Sequence, residues 1–187
     1  MTNKNQIKIL SIGLFLSSVL FFSCTNDYEA IVDEIDYNNY PSQSAENIEI
    51  QRTDSGKIIL KMFAPILERY TFSEESKSYD EFPKGIKVLT YTNYPEVSSS
   101  LTCNYAKHIV RTNKWEARDN VVAVNVDGDT LKTEQMFWDN EKGNIYSDKP
   151  VNIRTENEII YGTGFTAKQD FSGWKINKVK GTIYLDE

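Results

Sequence analysis

The chain has 187 residues, with 21 Lys and Arg against 27 Asp and Glu, so its formal net charge is −6. This acidic balance argues against nucleic acid as a main partner, because phosphate backbones are bound by clustered basic side chains. Two Cys and one His exclude a disulfide framework, a four-thiolate zinc site and most histidine-based catalytic schemes. The composition favours a binding or structural protein, with no enzyme activity, cofactor or metal expected.

Residues 1–23 have the features of a secretory signal peptide of the lipoprotein type. Lys4 and Lys8 form a short basic start, and residues 9–22 carry no charged side chain. This run is shorter than the roughly 20 residues of a membrane-spanning helix. The sequence Leu20-Phe21-Phe22-Ser23-Cys24 resembles a bacterial lipobox, whose cysteine is acylated after cleavage. The alternative is an uncleaved N-terminal anchor, and both place the rest of the chain outside the cytoplasm.

The polar and acidic segment 24–47 is predicted to be a tether, and the pattern changes at Ile48. From there, apolar residues recur at every second position, which is typical of β-strands with one buried face. The same sequence pattern, a glycine-containing turn followed by alternating apolar residues, recurs at Gly56, Gly128, Gly143 and Gly173. Residues 48–187 are therefore predicted to be one all-β domain of antiparallel strands, with the apolar side of the sheet buried against another sheet or against a ligand.

Three local expectations accompany this fold. Pro65 should end its strand or lie on an edge strand, because proline has no N–H group to donate to a strand ladder. Residues 73–81 should form an exposed loop, since they are almost entirely polar. Residues 162–164, with two glycines around a threonine, should form one of the last turns.

No catalytic motif stands out in the sequence. His108 is interpreted as a surface or structural histidine, because no Ser or Cys nucleophile is marked near it. Asp127-Gly128-Asp129 is interpreted as a hairpin turn rather than half of a calcium site. Cys103 is interpreted as a small core residue. Acidic pairs such as Glu156 and Glu158 are read as solvated charges, because nothing indicates that two acids face a common cleft.

The stretch from Asp129 to Phe165 resembles the LptC family, the periplasmic component of the lipopolysaccharide export machine in Gram-negative envelopes. The resemblance rests on ordered short motifs, which are Leu131-Lys132-Thr133-Glu134 with Trp138-Asp139, Val151-Asn152-Ile153, Gly162-Thr163-Gly164 and a closing Gly181. Earlier pieces also fit, namely residues 54–64, Phe82-Pro83-Lys84-Gly85-Ile86 and residues 101–106. The similarity covers roughly residues 48–184, and the departure is Cys24, since many members carry an uncleaved helix.

The resemblance implies a twisted, open β-jelly roll of two sheets, with an apolar interior and no catalytic role. It implies a protein that accepts lipopolysaccharide from an inner-membrane ABC permease and passes it to a periplasmic bridge protein of similar fold. It also implies docking by edge-to-edge strand addition and a periplasmic position, anchored to the inner membrane by a lipidated Cys24 or an uncleaved segment. The alternative is an envelope lipoprotein with a closed β-sandwich that binds carbohydrate and exposes Trp and Tyr on one outer face.

The residues expected to line a lipid-binding groove are the apolar ones at alternate strand positions, although plain core packing would give the same pattern. They are Ile58, Leu60, Met62, Ile86, Val88, Leu101, Val122, Val124, Leu131, Met136, Trp138, Ile145, Val151, Ile153, Phe165 and Ile176. Gly162 and Gly164 are expected to relieve crowding where the sheet bends, or to let another strand approach closely.

Overall fold

The computed structural model describes residues 40–184, which are built almost entirely from β-strands. Residues 1–23 and Cys24 lie outside the described residues, as does most of the predicted tether. The strands are β1 Gln43–Asp54, β2 Lys57–Tyr70, β3 Tyr79–Phe82, β4 Ile86–Asn93, β5 Glu96–Cys103, β6 Tyr105–Ile109, β7 Lys114–Val124, β8 Thr130–Asp139, β9 Asn144–Arg154, β10 Glu158–Lys168 and β11 Lys175–Tyr184. One short 3-10 helix spans Glu75–Lys77. Within residues 40–184, no helix is long and apolar enough to cross a membrane.

All eleven strands belong to one antiparallel sheet that curls around its own interior. The first half of β2 pairs with β4 and its last residues pair with β3. In the same way, β7 pairs first with β6 and then with β5. The strands β2, β4, β5, β7, β6 and β3 therefore form a closed circuit of pairings, while β8 to β11 extend the sheet beyond β7. The all-β jelly-roll prediction is confirmed, although the strands form one continuous sheet where two sheets were expected.

The strand register places apolar side chains opposite one another on the inner face. Residues paired directly across neighbouring strands share a face, so an aligned row identifies a common surface. One row crosses β1, β2, β4, β5, β7, β8, β9 and β10 through Ile50, Met62, Val88, Leu101, Ala123, Leu131, Ile153 and Ile160. Most of these side chains belong to the core or pack against it. Burial of this row contributes to the hydrophobic stabilisation of the curled sheet.

The next row along the strands faces outward and is mostly polar or exposed. It contains Lys87, Thr102, Val122, Lys132, Asn152 and Tyr161. Val122 therefore lies on the outer side of the sheet, and Val124, two residues further, shares its face. The inward positions of β7 are occupied by Val121 and Ala123, which are 0 % and 1 % exposed.

Three local expectations were wrong. β2 continues through Pro65 to Tyr70, because Pro65 has no paired residue on β1, β3 or β4, so no ladder hydrogen bond requires the N–H group that it lacks. Residues 79–81 belong to β3 rather than to a loop, since they pair with β2 and β6. Residues 162–164 lie inside β10. The first strand also begins at Gln43, ahead of the alternation that starts at Ile48.

The glycines of β10 permit a register shift and a close approach. Gly164 has φ +73° and lies where the pairing with β9 shifts register. A Cβ at Gly162 would collide with Ile176 and would lie 2.7 Å from the carbonyl oxygen of Lys178 on β11. The close approach expected at Gly162 is therefore present, although it occurs within a strand.

Other sequence interpretations are confirmed by position. Cys103 is a buried free cysteine, and burial raises the pKa of its thiol. Residues 125–129 form a hairpin turn in which the Asn125 side-chain oxygen accepts hydrogen bonds from the backbone N–H groups of Asp127 and Asp129. The side-chain N–H groups of Asn125 and Trp174 both donate to the Asp129 carboxylate.

Candidate functional site

The interior of the curled sheet contains a cavity of 420 Å³. Its walls come from β1 to β9 and from the β10–β11 turn, and they are predominantly apolar. Cavities that bind small molecules have volumes of roughly 300–1,000 Å³, so this one is large enough for a ligand. A well-packed protein core leaves few voids larger than a water molecule, which makes an apolar space of this size unusual for a purely structural interior.

The predicted groove residues divide into three groups. Residues that line the interior cavity are Leu60, Met62, Ile86, Val88, Leu101, Met136, Trp138 and Ile145. A separate small void at the β10–β11 side is lined by Leu131, Ile153 and Phe165. Ile58, Val122, Val124, Val151 and Ile176 line neither space; Val151 and Ile176 are buried in the core, while the other three are partly buried. The alternation of apolar residues therefore identified the wall residues of β2, β4, β5 and β8. On β7 it selected Val122 and Val124, which lie on the outward face.

One part of the cavity wall carries a charged cluster that the sequence did not indicate as a site. Arg69 on β2 donates two hydrogen bonds to the carboxylate of Asp80 on β3, at 2.6 and 2.9 Å. Asp80 is buried, and its hydrogen bonds and charge raise the pKa of Arg69. A bidentate pair of this kind fixes both side chains in one geometry.

His108 on β6 joins this cluster. Its Nδ1 lies 3.8 Å from the Asp80 carboxylate, and its Nε2 lies 3.0 Å from the side-chain oxygen of Asn113. The imidazole stacks on Trp115, which in turn stacks on Trp138. His108 alternates with Ala106 on one face of β6, and this alternation is the signal that could have placed it on the wall.

A second polar region lies further toward the start of β2. Arg52, Leu60, Thr90 and Ser99 are directly paired across β1, β2, β4 and β5, and all four line the cavity. The Thr90 hydroxyl lies 2.5 Å from the hydroxyl of Ser99 and 3.2 Å from that of Ser98. Arg69 lies nine positions beyond Leu60 on β2, which corresponds to about 30 Å of strand. The two polar regions are therefore at opposite ends of the apolar wall.

The two terminal strands of the sheet have one strand partner each within residues 40–184. β1 pairs with β2, and β11 pairs with β10. On β11, the large apolar side chains Val179, Ile183 and Tyr184 are 61 %, 54 % and 76 % exposed. A strand edge with exposed apolar residues is a template for pairing with another chain.

The tryptophans do not form the outer aromatic face that a carbohydrate-binding sandwich would need. Trp115 and Trp138 line the interior cavity, and Trp174 lines the smaller void. The exposed aromatic residues are tyrosines dispersed over the chain, including Tyr94, Tyr146 and Tyr161. Among residues 40–184, no group of three or more His, Cys, Asp or Glu side chains is arranged to hold a metal ion.

The comparison with protein families agrees with this architecture. The family described as "Lipopolysaccharide-assembly, LptC-related" matches residues 10–184, which is nearly the whole chain. The comparison with curated proteins gives no match. Members of the matched family are transport components that act in the periplasm in association with the inner membrane. The chain belongs to the LptC family, and its role lies in lipopolysaccharide transport.

Proposed function

We propose that this protein accepts lipopolysaccharide from an inner-membrane ABC permease, holds its acyl chains in the interior cavity and passes them to a periplasmic bridge protein of similar fold. The observation that carries the proposal is the 420 Å³ apolar cavity. The protein acts without catalysis, and the family resemblance assigns ATP hydrolysis to the permease.

The physical chemistry of the cavity suits a carrier. Removing one methylene from water stabilises a complex by about 0.8 kcal/mol, so a chain of a dozen methylenes could gain up to about 10 kcal/mol. The cost of ordering the chain and of association reduces this gain. The partly buried wall residues Val88 and Leu101 provide apolar surface that a bound chain would cover. Net binding of intermediate strength allows both loading and release.

Handover requires contact with proteins of the same export system. The outer edges of β1 and β11 are suited to edge-to-edge strand addition, in which backbone hydrogen bonds join two sheets into one. The exposed Val179 and Ile183 support β11 as one of the docking strands. Continuation of the sheet across such a joint would align the apolar interiors of the two proteins.

The N-terminal segment would hold the carrier at the membrane. In this proposal, residues 1–23 are a signal peptide, Cys24 is acylated after cleavage, the segment between Cys24 and the start of β1 is a tether, and strands β1 to β11 form the transport domain. The sequence Ser23-Cys24 after an uncharged run supports this arrangement. Mass spectrometry of the mature N-terminus distinguishes a lipidated Cys24 from an uncleaved anchor.

Photo-crosslinking tests the carrier function directly. A photoreactive amino acid at Val88, which lines the cavity, should capture lipopolysaccharide in cells. The same amino acid at Lys87, the neighbouring residue on the outer face of β4, provides the matched control. Equal capture from both positions, or capture from position 87 alone, would contradict the proposal.

A further inference from the structure

The charged groups on the cavity wall are not evenly neutralised. Arg69 is held in a bidentate pair by Asp80. Glu116 accepts a 2.6 Å hydrogen bond from Gln135 and lies 3.5 Å from Arg118. Arg52 differs from both, because within residues 40–184 no ion pair includes it. The cavity therefore has one wall cation without an acidic partner among the described residues, and it lies at the end remote from Asp80.

Hydrogen-bonding groups lie in the same cross-strand row as Arg52, two and three strands away. Thr90 and Ser99 belong to the same cross-strand row as Arg52, so their side chains share its face of the sheet. Ser99 is buried, with its hydroxyl in contact with that of Thr90. A hydroxyl can rotate to donate to a new acceptor, and a guanidinium presents a planar fork of donors. Together they form a donor-rich end of a predominantly apolar space.

We propose that Arg52, Thr90 and Ser99 form a binding site for the anionic head of an amphiphile, a phosphate or carboxylate, whose hydrocarbon chain occupies the cavity. This inference rests on the proposed function and adds the orientation of the ligand. The head lies at the Arg52 end, and the chain extends along β2 toward Arg69. At that far end, the Asp80 carboxylate neutralises Arg69 and would repel a second anion.

Paired amphiphiles that differ in head charge test this orientation. The full chain, held in a non-ionic amphipol, is titrated with dodecyl phosphate or with the uncharged monododecyl glycerol, and tryptophan fluorescence is the readout. Trp115 and Trp138 line the cavity, so occupancy should change their emission. We expect Arg52→Gln to weaken dodecyl phosphate binding about three- to tenfold, the range of a partly screened charged contact. Binding of monododecyl glycerol should be unchanged.

Two further variants complete the experiment. Lys132→Gln removes one positive charge from the outer face and should leave both affinities unchanged. Arg52→Lys keeps the charge and should recover part of the lost affinity, although it lacks the planar fork. Arg52 is exposed on β1, so its replacement leaves the core intact. Equal losses in Arg52→Gln and Lys132→Gln would indicate a general charge effect and would overturn the site.

The other outcomes separate the two proposals. Failure of both amphiphiles to alter the fluorescence would refute the carrier function itself. Binding of both with no effect of Arg52→Gln would leave the carrier function standing and overturn the head site. Inorganic phosphate alone should neither change the emission nor compete with dodecyl phosphate. Competition by inorganic phosphate at similar concentrations would show a free-anion site instead of a lipid-head site.

Discussion

Truncating two side chains of one cross-strand row distinguishes an open cavity from a packed core. Ile153 on β9 is 1 % exposed, whereas Leu101 on β5 is partly exposed to the interior cavity. Each substitution, Ile153→Ala and Leu101→Ala, removes three carbon atoms. Loss of three buried carbons costs about 2.4 kcal/mol of transfer free energy when burial is complete. A new void around Ile153 adds a further term, so we expect a loss of about 3–5 kcal/mol for Ile153→Ala.

Leu101 should be less sensitive because part of its surface contacts no protein atoms. We expect Leu101→Ala to lower the free energy of unfolding by about 1–2 kcal/mol, since it enlarges an existing space. Urea unfolding followed by circular dichroism gives both values if the slope with denaturant is unchanged. Saturating dodecyl phosphate should stabilise the unsubstituted protein, because ligand binds only the folded state. Equal losses at the two positions would refute the distinction between cavity wall and core.

Three further predictions concern local structure. Gly85→Ala should lower the free energy of unfolding by more than about 2 kcal/mol in the same urea assay, because Gly85 has φ +76° and a Cβ would collide with the Cys103 carbonyl; an unchanged value would contradict the geometry. Burial and the hydrogen bond to Glu81 raise the pKa of Tyr105 to about 12, so its contribution to stability is complete below pH 10 and is lost as pH rises toward 12. Tyr105→Phe should reduce this alkaline loss, and an identical pH profile of the urea midpoint would count against the assignment. In a Cys24→Ser chain, the Cys103 thiol should react with an aromatic disulfide reagent only after unfolding, because the thiol is buried and its pKa is raised. Rapid reaction of the folded chain would disprove the buried position of Cys103.

Much of the fold was predictable because one physical rule dominates it. A sheet with one buried face imposes alternation, and glycine-containing turns set the hairpin boundaries. The wall residues Leu60, Met62, Val88 and Leu101 follow directly from that rule. The rule failed where residue identity conflicted with position. On β7, the larger Val122 and Val124 face outward, while the smaller Ala123 faces inward between Leu101 and Leu131. Valine suits either face of a strand, so its presence does not identify the buried one.

The polar parts of the site were not predictable because they depend on strand order. Arg69 and Asp80 meet only because the end of β2 pairs with β3, and His108 joins them because β3 pairs with β6. Arg52, Thr90 and Ser99 lie on three strands whose register sequence alone does not define. A single sequence indicates which residues share a face of one strand, whereas contacts between strands require the topology.

The change of partner halfway along β2 and β7 gives the barrel-like part of the sheet redundant connectivity. Separation of β3 from β6 would still leave β2 joined to β7 through β4 and β5, and the reverse also holds. The β3–β6 pair can therefore open transiently while β4 and β5 stay paired, and the β4–β5 side can open while β3 and β6 stay paired. Amide hydrogen exchange in β3 and β6, which have only four and five residues, would then proceed by local opening, while the long strands exchange through global unfolding.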